Sequence, residues 1–148
     1  MPDVVKAIKI SFFYFRFGIF FTAVYYLLEI NKNLYRYFFY SILLSYLILV
    51  GDGYLQFYTG KNIIGYPIYF GRVSSFFNDE LILGSYLSRL FPIFFGLTLY
   101  LNEKNQLPIN IKYIFFIFIL VDVLTFLSGE RSAFFYINFS AIFMIIMI

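Results

Sequence analysis

The sequence contains no cysteine and no histidine, and only 13% of its 148 residues are charged. The absence of cysteine excludes disulfide bonds, thiolate metal sites and cysteine nucleophiles. The absence of histidine excludes the side chain that most often transfers protons near neutral pH. The net charge of +3 is small and scattered along the chain, so no nucleic acid partner is expected.

Hydrophobic residues are what the chain has in excess. They make up 62% of the sequence, and the mean hydropathy is +0.84, whereas a soluble domain is about half apolar and about a quarter charged. A domain this small keeps much of its surface in contact with solvent. That solvent must be largely lipid, so the composition indicates an integral membrane protein in contact with the lipid bilayer.

Five apolar runs are long enough to cross a bilayer, since about 20 helical residues span about 30 Å of hydrocarbon. The runs are apolar on every face, which favours helices over strands. The predicted fold class is therefore all-α, a polytopic transmembrane helix bundle forming one region over residues 1–148. The helices are expected at residues 10–30, 34–50, 81–101, 111–128 and 132–148.

The longest connection, residues 51–80, separates the second and third predicted helices. If each helix crosses the membrane once, this loop and the short turn at Gly129 lie on the same membrane face. The loop carries most of the polar candidates for a site, namely Asp52, Gln56, Lys61, Arg72, Asn78, Asp79 and Glu80.

Two arginines on that face are the leading candidates for chemistry. Arg72 lies in the long loop, and Arg131 follows the turn at Gly129. Two guanidinium groups at one membrane boundary can grip a diphosphate through paired hydrogen bonds. Asp79 and Glu80 lie at the start of the third predicted helix, where the helix dipole favours negative charge. They can also orient an arginine or accept a proton from a sugar hydroxyl. In the competing interpretation, these arginines and acids are ordinary charged residues at the membrane edge and have no chemical role.

Arg89 and Asp122 lie well inside two of the predicted helices. At 1.5 Å per residue, Arg89 and Asp122 lie roughly 12 and 9 Å from the same face, so they can form a structural intramembrane pair. Arg16 has a similar depth and can compete for Asp122. Ionisable groups at this depth are costly and point to function by default.

Several short motifs occur in order between the hydrophobic runs. They are Asp52-Gly-Tyr-Leu-Gln56, Gly60-Lys-Asn-Ile-Ile-Gly65, Arg72, Phe76-Phe-Asn-Asp-Glu80, Gly84-Ser-Tyr-Leu-Ser-Arg-Leu-Phe-Pro92 and Ser128-Gly-Glu-Arg-Ser-Ala133. In their order and placement, residues 51–133 resemble the central region of the O-antigen ligase and O-antigen polymerase superfamily.

The resemblance implies a multi-pass enzyme of the bacterial inner membrane that assembles lipopolysaccharide or surface polysaccharide, with residues 51–80 in the periplasm. Such enzymes transfer glycan from undecaprenyl diphosphate to an acceptor glycan or lipid A core, and no metal or other cofactor is implied. Family arginines that bind the donor diphosphate match Arg72 and Arg131. The implied site then comprises Arg72, Arg131, Asp79 and Glu80 as catalytic residues and Asp52, Gln56, Lys61 and Asn78 as substrate-binding residues.

The chain departs from the family in two respects. Ligases use a histidine in a later periplasmic region, and this sequence has none and ends at Ile148 in an apolar run without a polar tail. A helix that ends inside hydrocarbon predicts a fragment of a longer protein, which is expected to be inactive alone. Ligases often have Asn where the loop has Asp79 and Glu80, which favours a polymerase and leaves the subclass open.

Two other functions fit the composition. A transporter or flippase segment would use Arg16, Arg89 and Asp122 to line a pathway. A non-enzymatic membrane scaffold would tolerate substitution of the charged residues in the long loop. Intramembrane charge favours the transporter, whereas the clustered arginines and acids of the long loop favour the transferase.

Overall fold

A computed structural model of the chain describes residues 2–147, with side-chain exposure for residues 12–146. The described residues contain five α-helices and no β-strand, so the predicted all-α class is confirmed. A 3-10 helix, Ser75–Phe77, lies in the longest connection. The helices are α1 (Pro2–Ile30), α2 (Leu34–Thr59), α3 (Leu83–Glu103), α4 (Ile111–Leu127) and α5 (Arg131–Met147).

Helix α2 extends well past its predicted end at Val50 and continues to Thr59. The two glycines of this stretch, Gly51 and Gly53, do not interrupt the helix. At Gly53 the lack of a side chain lets α2 approach α4, because a Cβ there would lie 2.8 Å from Leu124 Cδ1. The predicted loop of residues 51–80 is thereby corrected to a connection over residues 60–82.

The chain divides into two compact units, Met1–Phe38 and Phe39–Ile148. In the first unit, α1 is apolar over residues 12–30, and its side chains are largely exposed. The guanidinium carbon of Arg16 lies 3.5 Å from the centre of the Phe13 ring and 4.9 Å from that of Phe17. Through this cation–π stacking, the positive charge of Arg16 is stabilised by two aromatic rings of its own helix.

The second unit is a packed bundle in which α3, α4 and α5 contact one another. The part of α2 from Phe39 onward joins them through aromatic side chains. The Phe39 and Phe94 rings stack 5.3 Å apart. The buried Tyr46 hydroxyl donates a hydrogen bond to the Leu87 carbonyl at 3.0 Å, which satisfies a polar group in an apolar interior.

The outer surface of α4 and α5 is apolar. Phe116, Phe126, Phe139 and Phe143 are each more than half exposed, and contiguous apolar surface of this kind is rare on soluble monomers. By length and composition, α1 over residues 12–30 and α2 over residues 34–59 are able to cross a membrane. The described chain therefore has two candidate membrane spans and weak evidence for membrane association.

Two neighbouring glycines on α2 test the close contact with α4. Gly53→Ala adds a methyl group against the fully buried Leu124, and overpacking of this kind is expected to destabilise the fold by about 1–3 kcal/mol. Gly51 has nothing within 4 Å, so Gly51→Ala is expected to stabilise the helix by about 0.5–1 kcal/mol. Unfolding in mixed micelles measures both changes. Equal effects would contradict the described contact.

Candidate functional site

The connection after α2 is held in place by a buried aspartate. Asp52 is 6% exposed and lies on α2. Its Oδ1 accepts a hydrogen bond from the Ile63 amide at 2.9 Å, and its Oδ2 accepts one from Ser75 Oγ at 2.5 Å. Both oxygens are therefore occupied by the protein. In the structure Asp52 shapes the loop, and its implied substrate-binding role stays a prediction.

Gln56 lies one turn further along α2 and is fully buried. Its Oε1 accepts hydrogen bonds from the amides of Ser74 and Ser75 at 3.0 and 2.7 Å. Its Nε2 lies 3.2 Å from the carbonyl oxygens of both Tyr66 and Pro67 and donates to them. One amide side chain thus fastens two separate parts of the connection to α2. The implied substrate-binding role of Gln56 likewise stays a prediction.

Asn62 builds the turn in the first half of the connection. This side chain is 4% exposed, and its Oδ1 accepts hydrogen bonds from the amides of Gly65 and Tyr66 at 2.9 and 2.7 Å. Its Nδ2 donates to the Ser75 carbonyl at 3.0 Å. Asparagine favours turns because its side chain replaces backbone partners. The segment that carries Arg72 is therefore part of an ordered loop.

The backbone around Arg72 is anchored on both sides. The Arg72 amide donates to the Tyr69 carbonyl at 2.9 Å. The next amide, of Val73, donates to the Leu127 carbonyl at the end of α4, at 3.3 Å. These bonds bring Arg72 to the turn between α4 and α5, which Arg131 follows directly as the first residue of α5.

A cleft of about 480 Å³ lies at this meeting point, and both Arg72 and Arg131 line it. Both arginines are exposed. The volume is within the range of small-molecule sites. The lining residues are Arg72, Phe126, Gly129, Glu130, Arg131, Phe134 and Phe135. The structure thus brings together the two arginines that the sequence singled out, in a cleft that three phenylalanine side chains also line.

Glu130 lines the cleft beside Arg131, and the sequence did not indicate it as a site residue. Its Oε2 accepts hydrogen bonds from the Ser85 amide at 3.1 Å and from Ser85 Oγ. Its Oε1 is buried and has no hydrogen-bond partner within the described residues. A carboxylate at the first turn of α3 is stabilised by the free amides and the helix dipole. Glu130 therefore ties α3 to the α4–α5 turn.

The remaining loop candidates are not among the residues that line the cleft. Asp79 and Glu80 are exposed, and Asp79 Oδ1 accepts a hydrogen bond from Asn78 Nδ2 at 3.2 Å. Asn78 Oδ1 also accepts one from the Tyr69 hydroxyl at 3.3 Å. Lys61 is exposed at the start of the connection. Glu130 is the acid that lines the cleft, and the catalytic roles implied for Asp79 and Glu80 stay predictions.

The predicted intramembrane pair of Arg89 and Asp122 does not form. Asp122 Oδ1 instead accepts a hydrogen bond from Asn138 Nδ2 on α5 at 2.8 Å. Arg89 is exposed on α3. The depths of the two residues were estimated along the helix axes, but pairing also requires that their helical faces meet. Asn138 occupies the position next to Asp122 that the arginine was expected to take.

Comparison of the chain with models of protein families, with curated proteins and with solved structures finds no match. What the cleft can bind is therefore inferred from the residues that line it. Two guanidinium groups suit an anion with several oxygen atoms, because each can donate paired hydrogen bonds. The phenyl rings of Phe126, Phe134 and Phe135 suit an apolar chain attached to that anion.

Proposed function

We propose that the protein is a membrane glycosyltransferase of the O-antigen ligase or polymerase type. It transfers glycan from undecaprenyl diphosphate to an acceptor sugar, such as one of the lipid A core, at the periplasmic face of the bacterial inner membrane. The observation that carries this proposal is the cleft shared by Arg72 and Arg131. In this role the cleft binds the diphosphate of the donor.

The proposed reaction is a direct displacement at the anomeric carbon of the donor glycan. An acceptor hydroxyl attacks that carbon, the bond from the carbon to the diphosphate oxygen breaks with its electron pair, and the hydroxyl proton passes through water to the departing diphosphate. The guanidinium groups of Arg72 and Arg131 stabilise the negative charge that grows on the leaving diphosphate, the kind of term that usually contributes most to catalysis. The rings of Phe134 and Phe135 contact the first isoprene units of the lipid.

Membrane insertion of all five helices is part of the proposal. Helices α4 and α5 have 17 residues each, which is about 26 Å at 1.5 Å per residue and close to the hydrocarbon thickness. Their outward phenyl rings, such as Phe116 and Phe143, suit contact with lipid tails. The connection over residues 60–82 and the turn at Gly129 would then lie together on the periplasmic side.

The transporter alternative depends on Arg16, Arg89 and Asp122 lining a pathway through the membrane. Asp122 is hydrogen-bonded to Asn138, and Arg89 is exposed on α3. No feature of the described residues favours a transport pathway over the anion cleft. A membrane scaffold remains distinguishable by experiment, because it predicts that Arg72 and Arg131 tolerate substitution.

Replacement of one cleft arginine in the cell that makes the protein tests the proposed reaction. With Arg131→Ala, long-chain surface polysaccharide is expected to disappear from gels, because the diphosphate leaving group loses a guanidinium partner. Undecaprenyl-diphosphate-linked glycan is expected to accumulate in the membrane. The comparison variant is Arg89→Ala, which removes an exposed arginine outside the cleft lining and is expected to leave the ladder unchanged.

Two outcomes would count against the transferase. A normal ladder in the Arg131→Ala strain, at normal protein level, would remove this arginine from the reaction. Loss of the ladder in the Arg89→Ala strain alone would instead favour a pathway through the bundle.

A further inference from the structure

The turn between α4 and α5 contains a glycine with two separate constraints. Gly129 has a φ angle of +73°, a left-handed conformation that glycine adopts readily and other residues rarely do. A Cβ at this position would also lie 2.8 Å from Nε of Arg72 and 2.9 Å from both Cδ and Cγ. Three successive side-chain atoms of Arg72 therefore lie against the bare backbone of Gly129.

This contact places the Arg72 side chain along the turn as it leaves the loop. The Arg72 backbone is already anchored by its own amide and by the bond from Val73 to Leu127. The side chain then runs over Gly129, just before Arg131 in the chain. The Arg72 side chain therefore packs on the same short turn from which the backbone leads into Arg131.

We propose that Gly129 is a positioning residue that sets the separation of the two guanidinium groups and so makes the cleft prefer a lipid diphosphate over a lipid monophosphate. The inference rests on the proposed function, in which Arg72 and Arg131 bind the donor diphosphate. A methyl group at position 129 pushes the Arg72 side chain away and leaves Arg131 in place. A single guanidinium still binds one phosphate but no longer spans two.

The full chain in lipid nanodiscs provides the test, with farnesyl diphosphate and farnesyl monophosphate as probes. Gly129→Ala is expected to weaken diphosphate binding by roughly 10-fold and monophosphate binding by less than about 3-fold, since it removes one charge-assisted partner from the diphosphate. The selectivity between the probes falls accordingly. A destabilised but otherwise unaltered cleft would lose affinity for both probes equally.

A control substitution at Gly60 distinguishes the effect of backbone strain from the effect of displacing Arg72. Gly60 has a φ angle of +80° and nothing within 4 Å of an added Cβ. Gly60→Ala therefore introduces similar strain without a contact, and it is expected to keep the wild-type selectivity. Gly129→Asn is the second variant at the turn, because asparagine tolerates left-handed backbone better than alanine does. It is expected to lose selectivity as Gly129→Ala does.

A double-mutant cycle links the effect to Arg72. In an Arg72→Ala background, Gly129→Ala is expected to lower diphosphate affinity by less than about 2-fold, because the side chain that it displaces is gone. Wild-type selectivity in folded Gly129→Ala and Gly129→Asn, or a full loss that persists in the Arg72→Ala background, would overturn the inference. If Arg72→Ala itself leaves diphosphate affinity unchanged, the proposed function fails instead.

Inorganic pyrophosphate is a third probe that identifies the source of the diphosphate. Weaker binding than that of farnesyl diphosphate is expected, because the phenyl rings of Phe126, Phe134 and Phe135 contact only the lipid probe. Binding as tight as that of farnesyl diphosphate would indicate a soluble ligand and would overturn the lipid-linked assignment.

Discussion

Arg72→Ala and Arg131→Ala are each expected to weaken the binding of farnesyl diphosphate by roughly 10- to 100-fold. Each substitution removes charge-assisted hydrogen bonds worth about 1.5–3 kcal/mol, and each 1.4 kcal/mol changes affinity tenfold. Both side chains line the same cleft, so the two losses concern the same ligand. Equilibrium binding to the purified chain in nanodiscs, at one fixed salt concentration, measures the effect.

Lysine at either position is expected to recover only part of the lost affinity. An ammonium group keeps the charge but lacks the planar fork that donates two parallel hydrogen bonds to a phosphate. Lys104→Ala is the control for net charge, because Lys104 is exposed between α3 and α4 and does not line the cleft. Full rescue by lysine, or an equal loss in Lys104→Ala, would indicate nonspecific electrostatic attraction in place of specific binding by the two arginines.

Gln56→Ala is expected to destabilise the protein by about 3–5 kcal/mol, the largest stability effect that the described contacts predict. It leaves the buried amides of Ser74 and Ser75 without their acceptor, and each unsatisfied buried group costs about 1–3 kcal/mol. The carbonyl groups of Tyr66 and Pro67 lose their donor as well. Unfolding in mixed micelles measures the change in free energy.

Limited proteolysis of the same variant reports on the loop itself. Cleavage within residues 60–82 is expected to become much faster, since two parts of the connection lose their attachment to α2. Gln106→Ala is the matched control, because Gln106 is exposed between α3 and α4 and surface substitutions usually change stability by less than about 0.5 kcal/mol. A Gln56→Ala variant as stable as this control would refute the structural role of Gln56.

The helices were predictable because long apolar runs leave few alternatives, whereas the end of α2 was not. Gly51, Asp52 and Gly53 resemble a loop in sequence, but the glycines fit a close helix contact and the aspartate is satisfied by Ile63 and Ser75. One signal was available. Asp52 and Gln56 are four residues apart, a spacing that puts two polar groups on one helix face.

The site was predictable only where chain order decides geometry. Counting helices puts Arg72 and Arg131 at the same end of the bundle, and the structure brings both to one cleft. Glu130 was missed because its environment depends on the approach of Ser85 at the first turn of α3, which no local pattern encodes. Gly129, directly before Glu130, was a usable sign that a helix ends at this point, since helices commonly end at a glycine in the left-handed conformation.

The missing pair of Arg89 and Asp122 illustrates the same limit. Rise per residue gives the depth of each charge, but the rotation of each helix about its axis is decided by side-chain packing. Asp122 faces Asn138 on α5, at 2.8 Å between Oδ1 and Nδ2. Depth along a helix therefore identifies possible partners, and only tertiary contacts select among them.

A double-mutant cycle on the two cleft arginines tests the central proposal most directly. Farnesyl diphosphate affinity is measured for the wild type, Arg72→Ala, Arg131→Ala and the double variant. If both guanidinium groups hold one diphosphate, the single losses are large and their coupling is at least about 1 kcal/mol. Losses that add within about 0.5 kcal/mol, or wild-type affinity in either single variant, would contradict a shared diphosphate site.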